Sequence, residues 1–161
     1  MAKFSAGQKV VFQFGGGEPT IYPKFLEWVK GLTALGHEVV ITSNGSRHSS
    51  FWEEMIRYAN VNISVHFESA DLDRLYENFE TMIKVRMSER TAGGLEIKLM
   101  CPPGVVEKGQ AFRDRILGIP KFESYAAWSL VPIRYPIINR KLAAMMMDYN
   151  QRELEILQQQ V

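Results

Sequence analysis

The chain reads as an α/β protein with a parallel sheet covered by helices. Three observations predict it. Short apolar runs rich in β-branched and aromatic residues alternate with segments of helical period. The alternation recurs about every 30 residues, the length of one strand-helix unit. Most of the strands run out into glycine, proline or small polar residues. Parallel neighbours need right-handed crossovers, so such a pattern implies either a doubly wound open sheet or a full or partial βα-barrel.

Each element has its own warrant. Residues 9–14, KVVFQF, read as a short buried strand ended by glycines. Residues 23–35 form a helix, with Pro23 suited to its first turn and Gly36 to its stop. On it Phe25, Val29 and Leu32 share a face, flanked by Leu26, Trp28 and Leu35. Residues 38–43 are a second strand with a polar exit, and 48–59 a helix that its serines can cap. Residues 61–66, VNISVH, alternate as a third strand. Asp71 caps a helix over 71–86 that carries Leu72, Leu75, Tyr76, Phe79 and Ile83 at helical spacing. SERTAGG is a polar loop. LEIKLM, 95–100, is a fourth strand, followed by a helix over 105–117 that Gly109 weakens. YAAWSLV, 125–131, is a fifth strand, and the tail holds helices at 138–147 and 151–159. The units 9–35, 38–59, 61–86, 95–117 and 125–159 make one domain spanning 1–161.

The totals exclude several classes. With 19 basic and 18 acidic residues, scattered, the formal charge is +1, which argues against bulk electrostatic binding of nucleic acid. No segment approaches the roughly 20 apolar residues that span a bilayer, and MAKFSAGQKVV lacks a signal-peptide core. The expectation is a cytoplasmic protein without a membrane segment. Cys101 is the only cysteine, which removes any internal disulfide and any all-cysteine metal site within one chain.

In both candidate architectures ligands sit at the C-terminal ends of the strands. Those ends read Gly15-Gly16-Gly17-Glu18, Thr42-Ser43-Asn44-Gly45, Ser64-Val65-His66, Met100-Cys101 and Pro132-Ile133-Arg134. The first is the most informative. A single glycine there is an ordinary tight turn. Three glycines with an acid are a poor phosphate loop, because no G-K-[ST] or G-x-G-x-x-G follows and a glutamate repels phosphate. Bare carbonyls beside a carboxylate suit a cation such as an ammonium. TSNG is a turn or a ligand contact, and His66 a satisfied core histidine or a site residue. His37 and His48 read as solvated, Cys101 as a small buried hydrophobe, and Met145 to Met147 as packing. Arg134 is either an anion contact or a surface charge.

The phrases FGGGEPTIYPKF, GHEVVITSNGS and VNISVHFESAD together resemble the radical S-adenosylmethionine (SAM) enzymes over about residues 9–104. The resemblance implies a partial (βα) TIM-type barrel, normally of six units, with SAM at the strand ends. Its glycine-glycine-glutamate motif, which receives the methionyl ammonium, maps onto Gly16, Gly17 and Glu18. The next two strand ends map onto Ser43, Asn44, Ser64 and His66 as further SAM or substrate contacts. The resemblance also implies a 4Fe–4S cluster held by a C-x-x-x-C-x-x-C loop, which reduces SAM to a 5′-deoxyadenosyl radical. That motif is missing, and Cys101 cannot replace it. The family's glycine motif ends its second strand, whereas here it ends the first of five. The expectation is therefore a domain without its first unit, either inactive alone or completed by another chain. The alternatives are a non-catalytic module for SAM, a nucleotide or another small ligand, and a degenerate fragment. An uncovered strand 9–14 would then invite a second chain or a homodimer.

Overall fold

The structure, a computed structural model, describes residues 7–89, 93–133 and 148–159. Five strands run β1 (Val11–Phe14), β2 (Glu38–Ser43), β3 (Asn60–His66), β4 (Leu95–Cys101) and β5 (Ala127–Pro132). Between them lie α1 (Phe25–Ala34), α2 (Ser49–Met55), α3 (Leu72–Ser88), α4 (Val106–Leu117) and the single turn α5 (Phe122–Tyr125). A 3-10 turn, Pro19–Ile21, precedes α1, and α6 (Gln151–Gln158) ends the described chain.

All strand pairs are parallel, and the spatial order β1-β2-β3-β4-β5 follows the sequence. This order decides between the two architectures. A doubly wound sheet reverses direction at a switch point. Here nothing reverses, and successive right-handed crossovers between neighbours place the helices on one face. The result is an open wall of a TIM-type barrel, with β1 and β5 as its edges among the described residues; β1 is not the buried strand its composition suggests, because with one described neighbour its residues alternate exposed and half-buried.

The alternation in the strands follows from that wall. In β3, Val61, Ile63 and Val65 are buried, while Asn60, Asn62, Ser64 and His66 are half-exposed on the inner face. In β4, Leu95, Ile97, Leu99 and Cys101 are buried, while Glu96, Lys98 and Met100 face inward. The buried set packs under Trp52, Phe79, Ile83 and Phe112 from the helices. Adjacent rows therefore carry Thr42, Asn62, Glu96 and Ala127, then Ser64, Lys98 and Ser129, then His66, Met100 and Val131. Parallel sheets commonly bury both faces under apolar side chains. This one keeps a polar inner face, with ion pairs Lys98–Glu96 (3.3 Å) and Lys9–Glu38 (3.4 Å).

Several boundaries differ from the sequence reading. The fifth strand starts at Ala127, because Phe122–Tyr125 closes a helical turn first. Pro23 lies in the turn before α1, whose N-cap is Lys24, and Pro19 instead opens the 3-10 turn. No serine caps α2; its N-cap is His48, without a side-chain bond. His37 is half-buried beside Phe12, with ring centroids 5.4 Å apart, rather than solvated. Asp71 does cap α3, accepting from Arg74 N at 3.1 Å. Gly109 weakens nothing essential, because a Cβ there would run into Cys101 Sγ; the glycine lets α4 lie against β4. Arg134, Met145 to Met147 and the 138–147 helix fall outside the described residues.

Candidate functional site

β1 ends at Phe14 and the chain turns on Gly15–Gly17, all exposed. Gly16 (φ +83°) and Gly17 (φ +60°) take left-handed conformations that side-chain-bearing residues rarely adopt. The turn delivers Glu18 to the N-cap of the 3-10 turn. One oxygen of its carboxylate, Oε1, accepts from Thr20 N (3.1 Å), Thr20 Oγ1 (2.6 Å) and Ser43 Oγ (2.8 Å). The other, Oε2, accepts from Asn44 N at 2.7 Å. These charge-assisted bonds tie the exit of β1 to the exit of β2.

The β2 exit is held from a second side. Ser43 is buried, and its hydroxyl also accepts from Gly45 N at 3.1 Å. Asn44 Oδ1 accepts from Ser46 N at 2.9 Å, closing a local turn. Gly45 (φ +75°) sits so close to α3 that a Cβ would lie 2.5 Å from Leu75 Cδ2. Asn78 of α3, almost fully buried, donates from Nδ2 to Gly45 O and to Arg47 O, both at 2.9 Å.

Ser64 and His66 stand on the inner face of β3. Ser64 is in register with Lys98, and His66 with Met100. His66 Nδ1 lies 3.9 Å from Glu68, and its carbonyl accepts from Ser69 N and Ala70 N, which turns the chain toward α3. Between the β2 and β3 exits lies a cavity of about 250 Å³, lined among others by Asn44, Ser46, His66, Asp71 and Arg74. Arg74 is oriented by Ser46 O (3.4 Å) and by Asp71 Oδ2 (3.8 Å). The structure thus brings together Glu18, Ser43 and Asn44 by direct bonds, and Asn44 with His66 around one cavity. Ser64 lies one step below, on the open inner face.

Sequence reasoning missed Thr20, Asn78, Asp71 as a cavity residue, and Arg74. Asn78 did leave a signal, because it stands between Leu75, Phe79 and Met82 on the buried stripe of α3. A buried amide on an apolar stripe needs partners.

Chemically, the turn offers backbone carbonyls and one carboxylate, a negative rim for a cation. The neighbouring cavity offers hydroxyl, amide, imidazole and guanidinium groups for a polar molecule. Residues 1–109 match the family model described as Radical SAM superfamily, which is more than half of the 161 residues. The chain belongs to the radical SAM superfamily. No curated protein matches it.

The superfamily implies SAM and a 4Fe–4S cluster. The carbonyls, carboxylate and polar cavity fit the amino-acid and nucleoside parts of SAM. The cluster does not fit. The chain has one cysteine, Cys101, which is fully buried and packed against Gly109. Burial first, and the nearby Glu153 charge second, push its thiol up to about 12, far from the thiolate an iron needs. Among the described residues no group of three or more His, Cys, Asp or Glu side chains could hold a metal ion. No helix among them is long and apolar enough to cross a membrane.

Proposed function

We propose that this chain is the SAM-binding portion of a radical SAM enzyme and is not a catalyst on its own. The observation that carries this reading is the glycine turn of β1, held against the β2 exit by Glu18. In it the backbone carbonyls at Gly16 and Gly17 receive the methionyl ammonium, and Glu18, already given four donors, holds that turn against β2. Asn44 and His66 reach the nucleoside side from the adjoining cavity, with Ser43 supporting the loop and Ser64 facing the substrate side. SAM supplies a 5′-deoxyadenosyl group when an iron–sulfur cluster reduces it, and this chain offers no ligands for that cluster. Another chain would have to bring the cluster for turnover. Calorimetric titration with SAM tests the reading. Binding weakened by Glu18→Gln is the expected result, and wild-type protein that ignores SAM would remove it. Iron and sulfide reconstitution under anaerobic conditions tests the second half. A 4Fe–4S absorbance with SAM cleavage by this chain alone would overturn it.

The lone buried cysteine favours a second reading, a binding module for SAM or a nucleotide without chemistry. It predicts the same titration, with no gain of SAM cleavage when a cluster-bearing partner is added. A degenerate fragment would show neither binding nor cleavage.

The open edge of β1 bears on partners. Five exposed large apolar residues gather on or beside this unit, namely Val11, Ile21, Tyr22, Trp28 and Leu35. Next to them Phe12, Phe14, Trp28, Leu32 and Leu35 line an apolar groove of about 500 Å³. A parallel edge strand with such a flank is a place for a second chain, or for a second copy in a homodimer. Light scattering across a concentration series tests this, and a monomer at every concentration would remove the homodimer.

A further inference from the structure

We infer that Asn78 is a positioning residue whose amide fixes the width of the cavity between the β2 and β3 exits, and with it the cavity's fit to a ligand. This rests on the SAM reading above for the ligand alone; the bonds carry the rest. Asn78 lies on the apolar stripe of α3, with Leu75, Phe79 and Met82, and is 1% exposed. An apolar residue would suit that stripe better, because a buried amide costs free energy unless it is bonded. Both of its N–H groups are used, on Gly45 O and on Arg47 O, each at 2.9 Å. Two carbonyl partners fix the orientation of the amide, since the flipped form would set oxygen against oxygen. Its own oxygen, Oδ1, is buried and has no hydrogen-bond partner among the described residues. A buried acceptor in that state lowers stability. Asn78 is thus better matched to the loop it holds than to the core it sits in.

The backbone groups of that loop show what the amide supplies. Its N–H groups are met from the strand side: Asn44 N by Glu18, Gly45 N by Ser43 Oγ and Ser46 N by Asn44 Oδ1. Its carbonyls are met from α3. Asn78 holds Gly45 O and Arg47 O, and Arg74, one turn earlier, reaches Ser46 O at 3.4 Å. Arg74 is the looser hold, because its side chain is half-exposed and also leans toward Asp71. The cavity of about 250 Å³ has Asn44 and Ser46 on one wall and His66, Asp71 and Arg74 on the other. Asn78 does not line it. It is the buried tie between the two walls, and acts on a ligand only through them.

Three measurements test this. Without ligand, hydrogen exchange should find the Gly45 and Ser46 amides protected in the wild type. Asn78→Leu should speed both about tenfold more than it speeds the amides of β3 and β4. Equal factors in loop and sheet would make Asn78 a core residue only and overturn the inference. With ligand, calorimetry should find SAM weakened about tenfold by Asn78→Leu. Met82→Leu, a volume-conserving change on the same stripe, should stay within about twofold of the wild type. Equal losses in the two variants, or none in Asn78→Leu, overturn the inference. Asn78→Asp adds a readout that packing alone would not move. Ionised, its carboxylate faces two carbonyls and repels the loop; protonated, it gives one proton back. Burial raises such a carboxyl, so SAM affinity relative to the wild type should recover severalfold from about pH 8 to about pH 5. Ratios to the wild type at each pH cancel what His66, Asp71 and Arg74 contribute, and Asn78→Leu should stay flat. A flat ratio in Asn78→Asp counts against the tie. If the wild type ignores SAM, the SAM reading fails, and the ligand-free exchange alone decides the role of Asn78. Should Asn78→Leu not fold, Asn78→Asp at the two pH values carries the same comparison.

Discussion

The centre of the sheet and its first flank are built from the same kind of unit, yet they end in opposite states. β3 and β4 have a strand on each side, and their outward side chains disappear under α2, α3 and α4. Among the described residues β1 has a neighbour on one side only, and α1 keeps half of its apolar stripe in water. Phe25 and Val29 are buried, but Trp28 is 49% and Leu35 74% exposed. The helix period is equally good in both places. Burial therefore depends on what stands beside the unit more than on the unit's own pattern.

Two tryptophans give the largest contrast. Trp52 of α2 is fully buried, whereas Trp28 stacks on Tyr22 at 4.4 Å on the open flank. Trp52→Ala should cost about 3–5 kcal/mol in urea unfolding, enough to threaten a domain of ordinary stability. Trp28→Ala should cost about 1 kcal/mol or less. Similar losses at both sites would mean that the flank is covered in solution.

Cys101 probes the closed region by pH. Its thiol rises from the ordinary 9.0 in the unfolded chain to about 12 in the fold. The unfolded state therefore loses the proton first as pH rises. Stability from this group is intact below about pH 9 and should fall by roughly 1.4 kcal/mol per pH unit between there and about pH 12. Urea midpoints of the wild type and Cys101→Ala over that range should diverge in slope, and parallel slopes would count against the burial.

The glycines extend the contrast with opposite signs. Gly45→Ala combines φ +75° with a clash against Leu75, and should destabilise by about 2 kcal/mol. Gly31 sits in α1 with open space around its missing Cβ, so Gly31→Ala should stabilise by about 0.5–1 kcal/mol. Thermal melts check both. The smallest effect on stability belongs to Leu35→Ser, within about 0.5 kcal/mol. Its larger effect should be on association, with a lower mass by light scattering at high concentration. An unchanged mass would mean that association, if present, uses another surface.

The parts of the molecule that the chain reveals locally are those set by period and punctuation. VNISVH announces both its strand and its two faces, because successive side chains leave opposite sides of a strand. Asp71 marks the start of α3, and Gly36 ends α1 with φ +82°. The glycines after β1 could be read as a tight turn, and Gly16 and Gly17 take the positive φ such a turn needs. The start of the fifth strand was not legible, since Tyr125 closes a helical turn that the buried Phe122 begins, and the strand opens only at Ala127.

Within the site, Thr20 lies two positions from Glu18, but the other partners of Glu18 were out of reach of any local pattern. Ser43 and Asn44 stand 25 and 26 positions away, and Asn78 stands 33 from Gly45. Nothing in the residue types distinguishes a glutamate that awaits a ligand from one already given four protein donors. The order of the strands makes that distinction, because only neighbouring β1 and β2 put their exits within hydrogen-bond reach. The same order leaves the sheet open, makes the inner face polar and exposes Trp28 and Leu35. Most element types, the Asp71 cap and the alternation of faces came from the chain, since backbone geometry imposes them residue by residue. Strand adjacency, the Glu18 clamp and the uncovered flank came from the tertiary structure, since each depends on which distant segment arrives alongside.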